Sequence, residues 1–113
     1  MNARQLRTHC LVSAAIPLLL LFSAPVHART EAADLYKAKC AVCHGIDGKG
    51  DTAAGKKLGA RDFGAPEVQR ETDQELLEIT AKGKNKMPGY EKSLKESEMK
   101  DLVAYIRELG KKK

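Results

Sequence analysis

Three residues that can hold a cofactor or a metal stand together in the segment KCAVCHG, residues 39–45. Cys40 and Cys43 are separated by two residues, and His44 follows directly. Thiolates and imidazoles bind zinc, and a Cys-x-x-Cys pair can form a reversible disulfide. Cys-x-x-Cys-His is also the signature of covalent haem attachment. The rest of the chain has to distinguish these three chemistries.

Zinc and a disulfide both fit the chain poorly. A structural zinc site needs four ligands, commonly two Cys-x-x-Cys units, and no second such pair exists. Thioredoxin-like centres place their cysteines at the start of a helix in a βαβ setting, whereas this pair comes at the end of a predicted helix. A purely structural disulfide would close too small a loop to stabilise the fold appreciably.

Haem suits the spacing of the motif. Side chains three residues apart lie on one side of a helical turn, so both sulfurs can reach the two vinyl groups at one edge of a porphyrin. The next residue then lies beneath the ring with its imidazole directed at the iron. We therefore predict one haem c, attached through Cys40 and Cys43, with His44 as an axial iron ligand.

The second axial ligand is predicted to be a methionine. His9 and His27 precede a predicted cleavage site, which leaves His44 as the one histidine of the mature chain. Met99 falls on the apolar stripe of the last predicted helix and fits the core better. Met87 stands in a loop before a proline, which favours an extended backbone and an outward thioether. His/Met ligation is typical of electron-transfer haem and raises its potential.

Residues 1–28 have the pattern of a secretory signal. Arg4 and Arg7 precede an apolar run over residues 11–24, and small residues lead to Ala28, after which we predict cleavage. The run is shorter than the roughly 20 residues that a membrane span needs. We therefore expect an exported, periplasmic protein without stable membrane insertion; the alternative is an uncleaved anchor.

The mature domain, residues 29–113, is small for a self-sufficient core. It has no tryptophan and one phenylalanine, Phe63, so a large apolar cofactor would supply the missing core. Loss of two signal arginines lowers the basic count from 20 to 18, against 15 acidic residues. The remaining excess of three positive charges equals the three lysines of the tail, residues 111–113. A short basic tail is not the clustered basic face that a nucleic-acid-binding protein presents.

The pattern of the mature chain predicts an all-α fold with three main helices and two long loops. The first helix covers residues 31–43 after an N-cap at Thr30. The second begins with the capping box of Thr72 and Glu75 and stops at Gly83. The third has an apolar stripe and ends at a glycine. Gly110 is the predicted end, and the stripe consists of Met99, Leu102, Val103, Ile106 and Leu109.

The motifs CAVCHG (residues 40–45), KNKMPGY (84–90) and DLVAYIREL (101–109) together resemble a class I cytochrome c. The likeness is to small, soluble, single-haem bacterial and c6-like members, and it covers nearly all of the mature domain. It implies long loops wrapped around one covalent haem. The resemblance gives Cys40 and Cys43 as thioether residues, His44 as proximal ligand and Met87 as distal ligand. It also implies that Tyr36, with Ala32 nearby, packs against Leu102 and Tyr105.

Three positions depart from the pattern of that family. The stretch DTAAG, residues 51–55, stands where relatives often have a proline near the carbonyl that accepts from the proximal histidine. The sequence therefore does not indicate this acceptor. Lys95 replaces the usual Thr or Ser cap three residues before Glu98, and Ala32 replaces a first-helix glycine.

With both axial positions taken by His44 and Met87, the iron has no open site, so we predict a one-electron carrier and not an enzyme. Expected partners are redox proteins such as a cytochrome complex, a terminal oxidase, a reductase or a dehydrogenase, and we expect a monomer. One alternative is a haem-based peroxidase or gas sensor in which Met87 leaves the iron. Another is a membrane-anchored subunit of a respiratory complex, if the signal is retained.

Overall fold

The computed structural model describes residues 26–112, which fold into six α-helices without a β-strand. The predicted all-α class is confirmed. The predicted signal, residues 1–28, lies outside the described part except for its last three residues. No helix in the described part is long and apolar enough to cross a membrane. The helices are α1 (Val26–Lys39), α2 (Ala41–His44), α3 (Ala53–Leu58), α4 (Pro66–Arg70), α5 (Asp73–Lys82) and α6 (Glu96–Lys111).

The predicted first helix is divided and starts earlier than expected. It begins at Val26, and Thr30 lies inside it, where its hydroxyl donates to the Val26 carbonyl at 3.2 Å. The predicted N-cap at Thr30 is therefore wrong, because the hydroxyl makes the backward bond typical of threonine inside a helix. α1 ends at Lys39, and the chain bends at Cys40 (φ −112°, ψ −37°) before α2.

α6 packs along α1 and α5 and supplies much of the core. All five residues of its predicted apolar stripe are buried, and Met99 is 5 % exposed, as its predicted core role requires. Tyr36 of α1 is fully buried and meets Tyr105 of α6 at 5.3 Å between ring centroids. Ala32 is also buried, which agrees with the predicted close approach of the two helices.

Both ends of α6 differ from the expected pattern. At its start, the Glu98 carboxylate accepts from the backbone amide of Lys95 at 2.7 Å, while the Lys95 ammonium has no lone pair with which to cap. At its end, Gly110 does not stop the helix, which continues to Lys111. A Cβ at Gly110 would lie 2.6 Å from the Phe63 carbonyl oxygen, so glycine here permits close packing.

The start of α5 is as predicted. The Thr72 hydroxyl accepts from the Glu75 amide at 3.2 Å, and the Glu75 carboxylate accepts from the Thr72 amide at 2.6 Å. The bond from the Thr72 amide and, after it, a bond that the Thr72 hydroxyl donates to the same carboxylate at 3.0 Å lower the pKa of Glu75. The capping box therefore fixes the point at which the chain leaves α4 and enters α5.

Candidate haem site

The attachment segment, residues 40–44, places the two cysteines and the histidine in one helical turn. The His44 amide donates to the Cys40 carbonyl at 3.0 Å, which keeps the turn closed. Cys40 and Cys43 are partly buried free thiols. Burial raises the pKa of Cys40 to about 11, with the charge of Lys39 opposing the rise. Cys40 therefore stays a thiol at neutral pH.

A zinc site finds no support in the described residues. Across residues 26–112, no group of three or more His, Cys, Asp or Glu side chains is arranged to hold a metal ion. The attachment segment thus presents two thiols and one imidazole without a fourth ligand beside them.

The ring of His44 is held in one tautomer. Its Nδ1 atom lies 3.2 Å from the backbone carbonyl oxygen of Arg61, and a carbonyl can only accept. Nδ1 therefore carries the proton and Nε2 keeps the free lone pair, which is the arrangement an iron-binding histidine needs. Burial lowers the pKa of His44, although the bond to Arg61 opposes this. The imidazole is thus neutral at neutral pH.

Phe63 fixes the plane of that imidazole. The two rings stack at 4.5 Å between centroids with an interplanar angle of 20°. Phe63 is buried at 7 % exposure, and its amide donates to the Gly48 carbonyl at 2.9 Å. The loop that follows the attachment segment is therefore folded back against His44.

α3 is seated directly on the attachment segment. The Thr52 hydroxyl lies 2.9 Å from the carbonyl oxygens of both Val42 and Cys43 and accepts from the Gly55 amide at 2.8 Å. A Cβ at Gly55 would collide with the Cys43 carbonyl oxygen. Glycine at this position therefore lets the two backbones touch.

Met87 lies on a tight turn after α5. The amide of Lys84 donates to the Met87 carbonyl at 3.1 Å, and the Met87 amide donates to the Lys84 carbonyl at 3.0 Å. Asn85 within the turn has a φ of +54°. A Cβ on Gly83 would lie 2.5 Å from the Met87 carbonyl oxygen, and one on Gly89 would lie 2.5 Å from the Lys82 carbonyl carbon. The two glycines allow the turn to fold back on the end of α5, with Met87 half-buried.

One side chain joins this turn to the attachment segment. The Tyr90 hydroxyl donates to the carbonyl of Lys39, the residue before Cys40, at 3.2 Å. Burial, followed by the nearby Cys40 and Cys43, raises the pKa of Tyr90, which therefore remains a donor. The structure thus brings the segment of Met87 to the attachment segment, although they are more than 40 residues apart in sequence.

Sequence reasoning did not find the supporting roles of Arg61, Thr52 or Tyr90. The acceptor for His44 is a backbone carbonyl, which every residue has, so Arg61 carries no local signal. Thr52 was predicted only as part of a loop. Tyr90 belongs to the motif KNKMPGY, but its acceptor lies 51 positions earlier.

The donor set fits a covalently attached haem. Two thiols in one turn can form thioethers, and the free Nε2 of His44 is available to iron. Cys40, Cys43 and His44 would hold the group, whose iron supplies a one-electron couple when bound. This fit holds independently of which residue occupies the far side of the iron.

The same fold is present in a solved structure named KustC0563 c-type cytochrome. The two superpose with a TM-score of 0.66 and 34 % sequence identity, covering 71 % of this chain and 98 % of that one. The protein is a class I c-type cytochrome, a class that carries covalently bound haem c. More particularly, residues 27–106 match the family described as cytochrome c oxidase, cbb3-type, subunit III, and the chain belongs to that family.

Two curated relatives are each named cytochrome bc1 complex cytochrome c subunit. The protein of Corynebacterium diphtheriae is 31 % identical over 75 residues, and that of Corynebacterium efficiens is 29 % identical over 75 residues. Each match covers 66 % of this chain but 25 % and 23 % of the two relatives. The chain thus spans about a quarter of the length of these relatives.

Proposed function

We propose that this protein is a one-electron carrier with a single haem c, bound covalently through Cys40 and Cys43. His44 is the proximal iron ligand, and Met87 is the distal one. The observation that carries the proposal is the His44–Arg61 hydrogen bond, because it leaves Nε2 free for iron within the attachment turn. Membership of the c-type cytochrome class supports the same chemistry.

The choice of Met87 over Met99 rests on burial and location. Met99 is packed inside the stripe of α6, at 5 % exposure, where its sulfur serves the core. Met87 is half-buried on a turn that Tyr90 links to Lys39, next to Cys40. A thioether on such a turn can serve as an axial ligand, and with both axial positions filled the site excludes substrates and favours electron transfer.

Electron exchange with a protein partner is supported by the surface beside the attachment segment. Val42 is 67 % exposed and Ile46 is 72 % exposed, and both flank the Cys43–His44 pair in sequence. Apolar side chains exposed beside a redox centre suit a small, transient contact with a redox protein. The partner class is a membrane or periplasmic redox complex, and we place the protein in the periplasm after cleavage behind Ala28.

A second candidate function is favoured by the names of the relatives. Because those proteins are named as subunits of the bc1 complex, the present chain could serve as a resident subunit of a respiratory complex. Mass spectrometry of the natural protein separates the two functions. A released carrier has its N-terminus at Arg29 and the mass of residues 29–113 plus one haem. An intact residue 1 in a membrane fraction supports the resident subunit instead.

Carbon monoxide tests the proposed closed iron site. The visible spectrum of the reduced wild-type protein is expected not to change under carbon monoxide, because Met87 fills the position that the gas would take. Met87→Ala is expected to bind carbon monoxide readily, and Met99→Ala is expected to behave like the wild type. Rapid binding by the wild type would instead support the gas sensor or peroxidase.

A further inference from the structure

The segment that carries Met87 has few attachments to the rest of the fold. The two backbone bonds between Lys84 and Met87 lie within the turn itself. The amides of Tyr90 and Glu91 donate to the carbonyls of Thr80 and Ala81, so they tie the segment only to the preceding helix, α5. None of these bonds determines how the turn sits against the attachment segment.

The Tyr90 hydroxyl makes the one described hydrogen bond that crosses from residues 83–95 to α1. Its acceptor, the Lys39 carbonyl, is available for a specific reason. In a continuous helix the Cys43 amide would donate to Lys39, four residues earlier. Here the Cys43 amide donates to the Cys40 carbonyl at 3.2 Å, because the chain bends at Cys40. The bend that forms the attachment turn thus frees the carbonyl that Tyr90 binds.

The geometry points to Tyr90 as a positioning residue that latches the Met87 turn against the attachment segment. We propose that this hydroxyl limits how often Met87 leaves the iron, and the inference rests on the proposed His44/Met87 ligation. The phenol ring packs partly buried against the core, and these apolar contacts do not need the hydroxyl. Tyr90→Phe therefore removes the latch and retains the packing.

A second tie is too long to replace the latch. The Lys84 ammonium lies 3.9 Å from a carboxylate oxygen of Glu71, beyond hydrogen-bond distance, and the Lys84 side chain is 52 % exposed. Exposed ion pairs of this kind contribute little. The Tyr90 bond is therefore the contact whose loss should open the turn.

Imidazole provides the test with the full haem-loaded protein in its oxidised form. Exogenous imidazole takes the position of Met87 each time the turn opens, and visible spectroscopy follows its binding. Tyr90→Phe is expected to bind imidazole about threefold to tenfold more tightly, the range that one neutral hydrogen bond supports. Tyr105→Phe is the matched control, because that hydroxyl makes no hydrogen bond within the described residues and its ring also packs on the core.

Hydrogen exchange supplies a readout that does not depend on the iron ligand. The amides of Lys84 and Met87 are expected to exchange severalfold faster in Tyr90→Phe than in Tyr105→Phe. Equal imidazole affinity and equal exchange in the two variants would overturn the latch. If Met87→Ala binds imidazole no better than the wild type, the distal assignment fails. In that case, faster amide exchange in Tyr90→Phe would show only that the hydroxyl holds the turn in place, and it would say nothing about the iron ligand.

Discussion

A single backbone carbonyl, that of Arg61, decides which nitrogen of His44 is free. The side chain of Arg61 is itself held by two bonds to the Glu71 carboxylate, at 2.9 and 3.0 Å. Phe63 stacks on one face of the imidazole. At the scale of one residue, the histidine is thus oriented by neighbours that follow it by 17 and 19 positions. Such preorganisation limits the rearrangement needed when a metal binds.

The Tyr36 hydroxyl offers a residue-scale prediction. It is buried and donates to the Gly45 carbonyl at 2.7 Å, next to His44. Burial raises the pKa of Tyr36 far above its ordinary value, so the hydroxyl stays a donor. Tyr36→Phe should lower the free energy of unfolding by about 0.5–1.5 kcal/mol, because it removes one of the two hydrogen bonds to the Gly45 carbonyl, which still accepts from the Gly48 amide at 3.1 Å. Denaturant unfolding measures the loss.

Tyr105→Phe is the control for this change, since its hydroxyl has no described hydrogen bond and its ring meets Tyr36 at 5.3 Å. Its effect should stay within about 0.5 kcal/mol, as for most changes away from such features. Equal losses in the two variants would show that the bond to Gly45 contributes nothing.

At the scale of elements, short helices position the attachment segment. α3 has only six residues, too few to be stable alone, and depends on its contacts with α2. Thr52 caps α3 and at the same time contacts the carbonyls of Val42 and Cys43. The cap and the contact therefore form together, and losing one weakens the other.

Gly55→Ala tests this coupling. The new methyl group would collide with the Cys43 carbonyl oxygen, so α3 must move away from the attachment segment. We expect a loss of about 2–3 kcal/mol in the free energy of unfolding of the holoprotein, typical of overpacking. Lys57→Ala, at an exposed site on the same helix, should cost less than about 0.5 kcal/mol. Wild-type stability in Gly55→Ala would contradict the close approach.

The capping box of α5 predicts a pH dependence. The pKa of Glu75 is lowered in the folded protein, so its carboxylate stabilises the fold above the ordinary value of about 4.3. That contribution is lost as the pH falls through the lowered pKa. The stability difference between the wild type and Glu75→Gln should therefore be constant above about pH 5 and shrink towards about pH 3.

Denaturant titrations over this pH range measure the difference. Glu67→Gln is the matched control: Glu67 is an exposed first-turn residue of α4 without a described side-chain hydrogen bond. Its variant should lack the acid-dependent change. A difference for Glu75→Gln that does not vary with pH would rule out the carboxylate as the cause.

At the scale of the whole molecule, the core is small for the backbone it must order. The described core contains two buried aromatic side chains, Tyr36 and Phe63, and the second lies against His44. Three of the six helices have six residues or fewer. Domains of this size usually need a cofactor or another staple. The haem is therefore expected to stabilise the fold as well as carry the electron.

The double variant Cys40→Ser/Cys43→Ser tests that dependence. Without thioethers, haem should be lost on acid-acetone extraction, and the extracted protein should lose most of its helical circular dichroism and its cooperative unfolding. Extracted wild type, which keeps its haem, is the control and should refold. Covalent haem retained by the double variant would contradict attachment through these cysteines.

The sequence predicted the large features because they rest on repeating or local patterns. The stripe of α6 follows from apolar spacing, and the start of α5 follows from Thr72 and Glu75. The prediction for Thr30 was wrong because the sequence does not distinguish an N-cap threonine from one inside a helix when the residues before it show no clear helical pattern. Gly110 was misread because its neighbour, Phe63, lies 47 positions away. The local pattern of α6 carries no signal for that contact.

The most direct test of the account is the visible spectrum of the oxidised holoprotein. Methionine sulfur on ferric haem gives a charge-transfer band at the red end of the spectrum. The account predicts this band in the wild type and in Met99→Ala, and its loss in Met87→Ala. A band that survives Met87→Ala and disappears in Met99→Ala would contradict the proposed coordination.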